Sequence, residues 1–319
     1  MLGAMAASPS TGRSPVAAAR AWFALQAIAG AAWWVAVLAS DEVRARTLGT
    51  WSPAVLVVPD LVLFVVAAAL AAATGHRIAA AMSATWTVAV TAALGATAVA
   101  TGRAGVGAAL MVIASLGAVP AALVLWFGRM PTAWFFVGPF AFREAEERTP
   151  AQHLRRSLAQ LVVFWSTFLL GLPALLAWAE GRADLRWALL DAPAWRAIGA
   201  GTFLVASAVG LWSCRSMAIV GHGTPLPAET ARRLVVVGPY RWVRNPMAVA
   251  GAFQTAGVGL WLGSWTVLVA AVAGCVVWDS WIRPTEEADL LERFGDPYAR
   301  YAETVRCWWP RRPRERVGR

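Results

Sequence analysis

The chain has 319 residues, of which 59% are hydrophobic and only 14% charged, and its mean hydropathy is +0.56. Soluble domains carry about 25% charged residues, so the composition excludes a soluble globular protein and indicates an integral membrane protein. The net charge of +10 comes from arginine alone, since none of the 28 basic residues is lysine; with no soluble basic domain to present that charge, nucleic-acid binding is excluded as its meaning.

A membrane crossing needs about 20 mostly apolar residues. Residues 1–15 read as a disordered N-terminal arm, without the basic, apolar and cleavage regions that a signal peptide has in succession. Four Ala-rich apolar stretches follow, at residues 16–40, 51–74, 78–101 and 105–127. Together, residues 16–127 predict an accessory four-helix transmembrane bundle. Asp60 is its odd residue. An acid inside a span is a functional candidate by default; the alternative is that Pro59 kinks the helix and Asp60 caps the second piece.

Residues 128–157 form a connector in which Trp134, Phe135, Phe136, Phe140 and Phe142 stand beside a charged run. It reads either as a segment lying in the membrane interface or as an ordinary linker. Residues 158–319 hold nearly all the remaining polar chemistry. Spans are expected at 158–178 and 194–220. The last apolar run, 247–282, is too long for one upright helix, and GVGLWLGSW in its middle predicts a hairpin. The fold class is therefore all-α: a polytopic transmembrane bundle of about eight spans, or seven if the last run is one tilted helix.

The three arginine-rich segments, in the connector, in the loop before residue 246 and in the tail from Arg300, all fall on one side if the N-terminus is inside. The positive-inside rule then places both termini in the cytoplasm. The exclusive use of arginine suggests a GC-rich bacterial coding bias, hence a bacterial inner membrane. Cys214, Cys275 and Cys307 have no metal or redox spacing, nor do the three histidines, so no metal site is expected.

The chemistry concentrates in two segments. In GHGTPLPAETARRLVVVGPYRWVRNPM, glycines and prolines stop one helix, Gly238-Pro239 makes a turn, and Asn245 and Pro246 are suited to N-cap and first position of the next helix. Arg241 and Arg244 add positive charge there. In WDSWIRPTEEADLLERFGDPYARYAETVRCWWP, Thr285 is expected to cap a helix carrying Glu286 and Glu287 in its first turn. Gly295 is expected to end it, and Asp296 to cap a second short helix with Pro297 at its start. Leu290, Leu291, Phe294, Tyr298, Tyr301 and Val305 form an apolar stripe, so the two helices read as a cytoplasmic lid whose tyrosines pack. Asp279 and Arg283 are spaced to pair. Gly251, Gly257 and Gly259 suit close helix packing. The hairpin brings both segments to the same end, where arginines and glutamates suit a zwitterionic ligand.

GPYRWVRNP, preceded by GHGTPLP and followed some forty residues later by EExxLxxxFGxxYxxY, resembles the integral-membrane methyltransferases, which include isoprenylcysteine carboxyl methyltransferases and phospholipid N-methyltransferases. The resemblance covers roughly residues 195–310. It implies S-adenosylmethionine as methyl donor and a lipophilic acceptor, a small molecule or lipid, reaching the site from the bilayer. It implies that Gly238, Pro239, Tyr240, Arg241, Arg244, Asn245 and Pro246 shape the cofactor pocket, that Glu286 and Glu287 contact the cofactor's amino or ribose groups, and that Arg244 and Glu287 serve the reaction most directly. Two positions depart from the family pattern: Asn245 stands where His is frequent, and Ala248 where Tyr is usual. The alternative that Ala248 raises is a non-catalytic binding or scaffold protein keeping the fold. The acceptor's identity and the oligomeric state are not legible in the residues.

Overall fold

The computed structural model describes residues 15–137 and 140–310, so the expected N-terminal arm lies almost entirely outside the described residues. The chain divides into two compact units, one running to Pro131 and taking in Arg182–Leu185, the other made of Thr132–Gly181 and everything from Arg186. Among the described residues the secondary structure is helical, and seven helices are long and apolar enough to cross a membrane.

The first unit is built from α1 (Pro15–Ala39), α2 (Asp41–Leu48), α3 (Pro53–Asp60), α4 (Ala67–Thr74), α5 (Arg77–Thr101) and α6 (Gly105–Phe127). Its four crossing helices are Pro15–Ala39, Pro53–Thr74, Arg77–Thr101 and Gly105–Phe127, within a residue or two of the apolar stretches. The stretch between the first two apolar runs forms the short helix α2, because the Ser40 side chain accepts from the Val43 N–H and Asp41 and Glu42 occupy its first turn. A core of small side chains, including Ala27, Ala68, Ala71, Ala80 and Ala118 around Phe23, lets the backbones approach closely.

Asp60 does not cap a second helix. The Pro53–Thr74 helix continues through it by way of a widened turn, Leu61–Val66, and the carboxyl is buried, accepting from the indole N–H groups of Trp34 and Trp86, each at 2.7 Å. The widened turn absorbs the hydrogen bond that Pro59 cannot donate.

The second unit contains α7 (Pro150–Phe164), α8 (Leu172–Arg182), α9 (Pro193–Ile219), α10 (Pro246–Leu262), α11 (Trp265–Val277), α12 (Arg283–Phe294) and α13 (Asp296–Thr304). Helix α7 begins eight residues before the apolar stretch at 158. Thr149 and Gln152 form a reciprocal capping box that starts it there. It runs through a widened turn, Trp165–Gly171, beside Pro173 into α8, and α11 runs through Trp278–Ile282 beside Pro284 into α12. Prolines inside continuous helices thus explain all three widened turns.

The last apolar run does fold as a hairpin. Gly263, in left-handed conformation (φ 65°), ends α10, and the Ser264 hydroxyl accepts from Val267 N–H to start α11. At 17 residues, α10 is the short arm. It packs along α9 through Gly199 and Gly257, where a β-carbon on either would lie within 2.8 Å of the other's carbonyl oxygen. Gly259 faces Leu268 across the hairpin, whereas Gly251 borders open space and is not a packing glycine.

The hairpin turn is held by Glu180, which sequence reasoning did not single out. Its carboxylate, 3% exposed, accepts from the hydroxyls of Ser264 and Thr266 (2.6 Å each) and from the Thr266 N–H at 3.1 Å. Glu180→Ala strands one buried donor, on Ser264, and two part-buried ones, on Thr266, and a donor costs about 1–3 kcal/mol when fully buried and unsatisfied. The expected loss is about 2–4 kcal/mol of stability, checked by the denaturant-unfolding midpoint of the purified protein, with Glu180→Gln losing less.

Candidate active site

At the opposite end of α10, the loop at residues 221–245 is fastened to the connector and to α7. The Thr230 N–H donates to the Arg143 C=O, the Arg143 N–H donates to the Pro227 C=O, and the Ala145 N–H donates to the Thr230 C=O. Glu229 is the anchor: its carboxylate accepts from Arg148 (3.1 Å), Arg156 (2.5 and 3.2 Å), Gln160 (3.0 Å) and Thr224 (3.2 Å). Glu229 was missed because its partners are scattered over some eighty residues of sequence. Arg232 reaches back to Glu144 and Glu147, each at 3.1 Å. The connector, the loop and the terminal helices therefore meet at one end of this unit.

The start of α10 follows the sequence expectation. Asn245 Oδ1 accepts from the Ala248 N–H at 3.0 Å, and Pro246 takes the first helical position. At the far segment the expectation fails for Thr285. It caps nothing, because α12 continues α11 and the Thr285 hydroxyl donates to the Trp281 carbonyl within the helix. Gly295 (φ 54°) ends α12 as expected and also takes the cap position of α13, so Asp296 lies inside the first turn. The apolar part of the long helix closes at Ile282. Arg283, Glu286, Glu287, Asp289, Glu292 and Arg293 in the next three turns put α12 beyond the hydrocarbon.

Two pairs join the segments. Asn245 Nδ2 donates to Glu286 Oε2 at 3.1 Å, and Arg244 pairs with Glu287 Oε1 at 2.6 Å. The other Arg244 donors are spent as well: Nε goes to the same Glu287 oxygen, and Nη1 goes to the carbonyls of Ala302 (2.9 Å) and Val305 (2.8 Å). Arg244 is thus a clasp between α10, α12 and the end of α13, reinforced by its backbone N–H to Arg306 C=O at 3.0 Å. The Tyr301 hydroxyl donates to the Tyr240 carbonyl at 2.7 Å. Asp279 and Arg283 pair at 3.1 Å, and Trp308 Nε1 donates to Asp279 at 2.6 Å, tying down the chain after α13.

These contacts surround a cavity of about 440 Å³. Tyr240, Arg244, Asn245, Glu286 and Glu287 line it, and so does Ala248. Gly238, Pro239 and Pro246 do not. They shape the turn and the helix start, and Gly238 (φ 59°) sits where a β-carbon would press on Ser216 and Trp212. Arg241 is exposed and also lies outside the lining, so its charge is offered to solvent or lipid rather than to the cavity. Sequence reasoning missed Gln160, Thr224, Arg233, Gln254 and Asp289, which line it too. Gln254, a lone amide in an apolar helix donating to Ser207 at 3.0 Å, carried a readable signal.

All three tyrosines of the chain, Tyr240, Tyr298 and Tyr301, line the cavity, supplying the hydroxyl-bearing aromatic wall that Ala248 lacks. Burial raises the pKa of each phenol, so all three are neutral. The Tyr240 hydroxyl is buried without a hydrogen-bond partner. Burial pushes Glu286 up to about 7; the Asn245 amide offsets part of this, and the charges of Glu287 and Asp289 add to it.

Helices and cavity together define a polytopic membrane protein with a charged pocket at one end of its C-terminal unit. Residues 195–297, about a third of the chain, match the family model for phospholipid methyltransferases, so this part carries the signature of a membrane methyltransferase family whose chemistry is methyl transfer to lipid-like substrates. The match spans α9 through the first turn of α13 and takes in both paired segments. No curated protein and no solved structure matches the chain.

Proposed function

We propose that the C-terminal unit transfers a methyl group from S-adenosylmethionine to a lipophilic acceptor, a lipid or small molecule dissolved in the bilayer, at the cytoplasmic face of a bacterial inner membrane. The observation that carries this reading is the convergence on one cavity of the Asn245–Glu286 and Arg244–Glu287 pairs with an aromatic flank that includes Phe164 and Phe168. The lining suits the cofactor: it offers carboxylates and guanidinium groups to a zwitterion, and the unpartnered Tyr240 hydroxyl is a buried polar atom of the kind a ligand satisfies.

S-adenosylmethionine supplies a methyl group on a cationic sulfur. Glu286 offers its carboxylate to the cationic part of that molecule, and Arg233 offers a guanidinium to its carboxylate. Tyr240 supplies one hydrogen bond, and the tyrosine wall keeps water out. Arg244 acts as a positioning residue, holding Glu287 and the end of α13 in place. Such chemistry asks for orientation and a dry pocket rather than a catalytic triad.

The test is transfer of labelled methyl from S-adenosylmethionine into lipid-extractable material by purified protein in nanodiscs of total bacterial lipid. Tyr240→Phe is expected to lower cofactor affinity about tenfold, the worth of one buried hydrogen bond, with a thermal transition no lower than that of the wild type. Well-folded protein that neither binds the cofactor saturably nor transfers methyl overturns the reading. That outcome leaves a non-catalytic scaffold, to which Ala248 in the cavity wall points.

A further inference from the structure

The first unit encloses a cavity of its own, about 350 Å³ in volume and within the usual range of small-molecule sites. No residue of it lies in the stretch that matches the methyltransferase family. Its wall is apolar except for Gln26, Asp60 and the indole N–H groups of three tryptophans.

Two polar atoms of residues in that wall have no partner. Gln26, 4% exposed, donates its amide to Ser83 Oγ (2.9 Å) and Thr87 Oγ1 (3.3 Å), which leaves Oε1 bare. The Trp22 indole N–H is also buried and unpaired. Residues 22 and 26 are one turn apart on the same face of α1. Leaving such groups unsatisfied costs about 1–3 kcal/mol each, and the hydrocarbon around a span has no water to relieve them. The Trp22 ring is seated deliberately: it lies against Gly117 of α6, where a β-carbon would come within 2.0 Å of the indole. Asp60 is already served, with one indole on each oxygen.

We propose that this cavity binds a lipophilic hydroxyl compound, an alcohol or phenol dissolved in the bilayer, whose hydroxyl donates to Gln26 Oε1 and accepts from Trp22 Nε1. A hydroxyl is the smallest group that does both. A hydrocarbon leaves both atoms bare, and an ammonium donates but cannot accept. The exposed lining residues Leu25 and Ile113, 58% and 56% accessible, leave the cavity open on an apolar side through which such a ligand passes. This cavity shares no lining residue with the proposed methyl-transfer site.

The test uses the full chain in phosphatidylcholine nanodiscs with a long-chain primary alcohol bearing a diazirine at its tail. Labelled peptides are mapped by mass spectrometry. Labelling is expected in the wall of this cavity, displaced by dodecanol but not by dodecane or dodecylamine. Trp22→benzothienylalanine, which keeps the bicyclic ring and replaces only the N–H by sulfur, is expected to weaken labelling about tenfold with a thermal transition no lower than that of the wild type. Gln26→Met is expected to weaken it at least as much; if that variant does not fold, having lost the Ser83 and Thr87 bonds as well, Trp22→benzothienylalanine decides alone. No labelling at the cavity, displacement by dodecane or dodecylamine equal to or stronger than that by dodecanol, or unchanged labelling of Trp22→benzothienylalanine each overturns the proposal.

Discussion

Glu286→Gln is expected to lower the affinity for S-adenosylmethionine about ten- to a hundredfold, the range of a hydrogen bond to a charged group, and to abolish its dependence on pH. Burial pushes the Glu286 carboxyl up to about 7. A cationic ligand requires the carboxylate, so wild-type affinity rises by up to about tenfold per pH unit below 7 and levels off above it. Binding near neutrality releases a proton, which calorimetry in buffers of different ionisation enthalpy measures directly. The same shift acts on stability with a definite sign. Because the folded-state pKa is raised above the unfolded value, the native state holds this proton more tightly. The contribution is fully present below the ordinary glutamate value of 4.5 and is lost as pH rises to about 7. Ligand-free wild type should therefore lose stability between pH 5 and 8 relative to Glu286→Gln. Affinity that is flat across that window removes Glu286 from the cation's contacts.

Arg244→Ala is expected to cost about 2–3 kcal/mol of stability and about a hundredfold in cofactor affinity, although little of Arg244 is left to touch a ligand. The loss combines a half-buried ion pair with two backbone carbonyls that have no other side-chain donor in view. Arg244→Lys rescues little, because a single ammonium cannot reproduce a planar fork that serves three acceptors at once. Hydrogen exchange locates the damage: amides of α13 and of residues 305–308 should lose protection in both variants while α9 and α11 keep theirs. Protection that persists through α13 would mean that the Tyr301 and Trp308 bonds suffice to hold the tail.

The crossing helices were legible because hydrocarbon imposes one rule on every residue in them. So was the start of α10, where Asn245 and Pro246 have only local work to do. Thr285 misled because capping is read from nearest neighbours: nothing nearby reveals that the widened turn at Trp278–Ile282 lets the helix run on past Pro284. Asp60 misled in the opposite direction. Its neighbour Pro59 suggested a local role, whereas its partners Trp34 and Trp86 are each 26 residues away. Arg244 was expected to offer free charge, and only the packed structure shows it spent on Glu287 and the tail. Glu180 and Glu229 could not be assigned from their surroundings in sequence, since the groups that satisfy them, Thr224 apart, arrive from other elements.

The cavity of the C-terminal unit is polar on one flank, at Glu286, Glu287 and Arg233, and aromatic on the other, where Phe164 and Phe168 are exposed on a crossing helix. On the proposed chemistry each reactant then arrives from its own phase, one from water and one from lipid. Neither has to pass the other, so turnover needs no compulsory order of addition. The acceptor's supply is governed by its concentration in the bilayer plane rather than in solution.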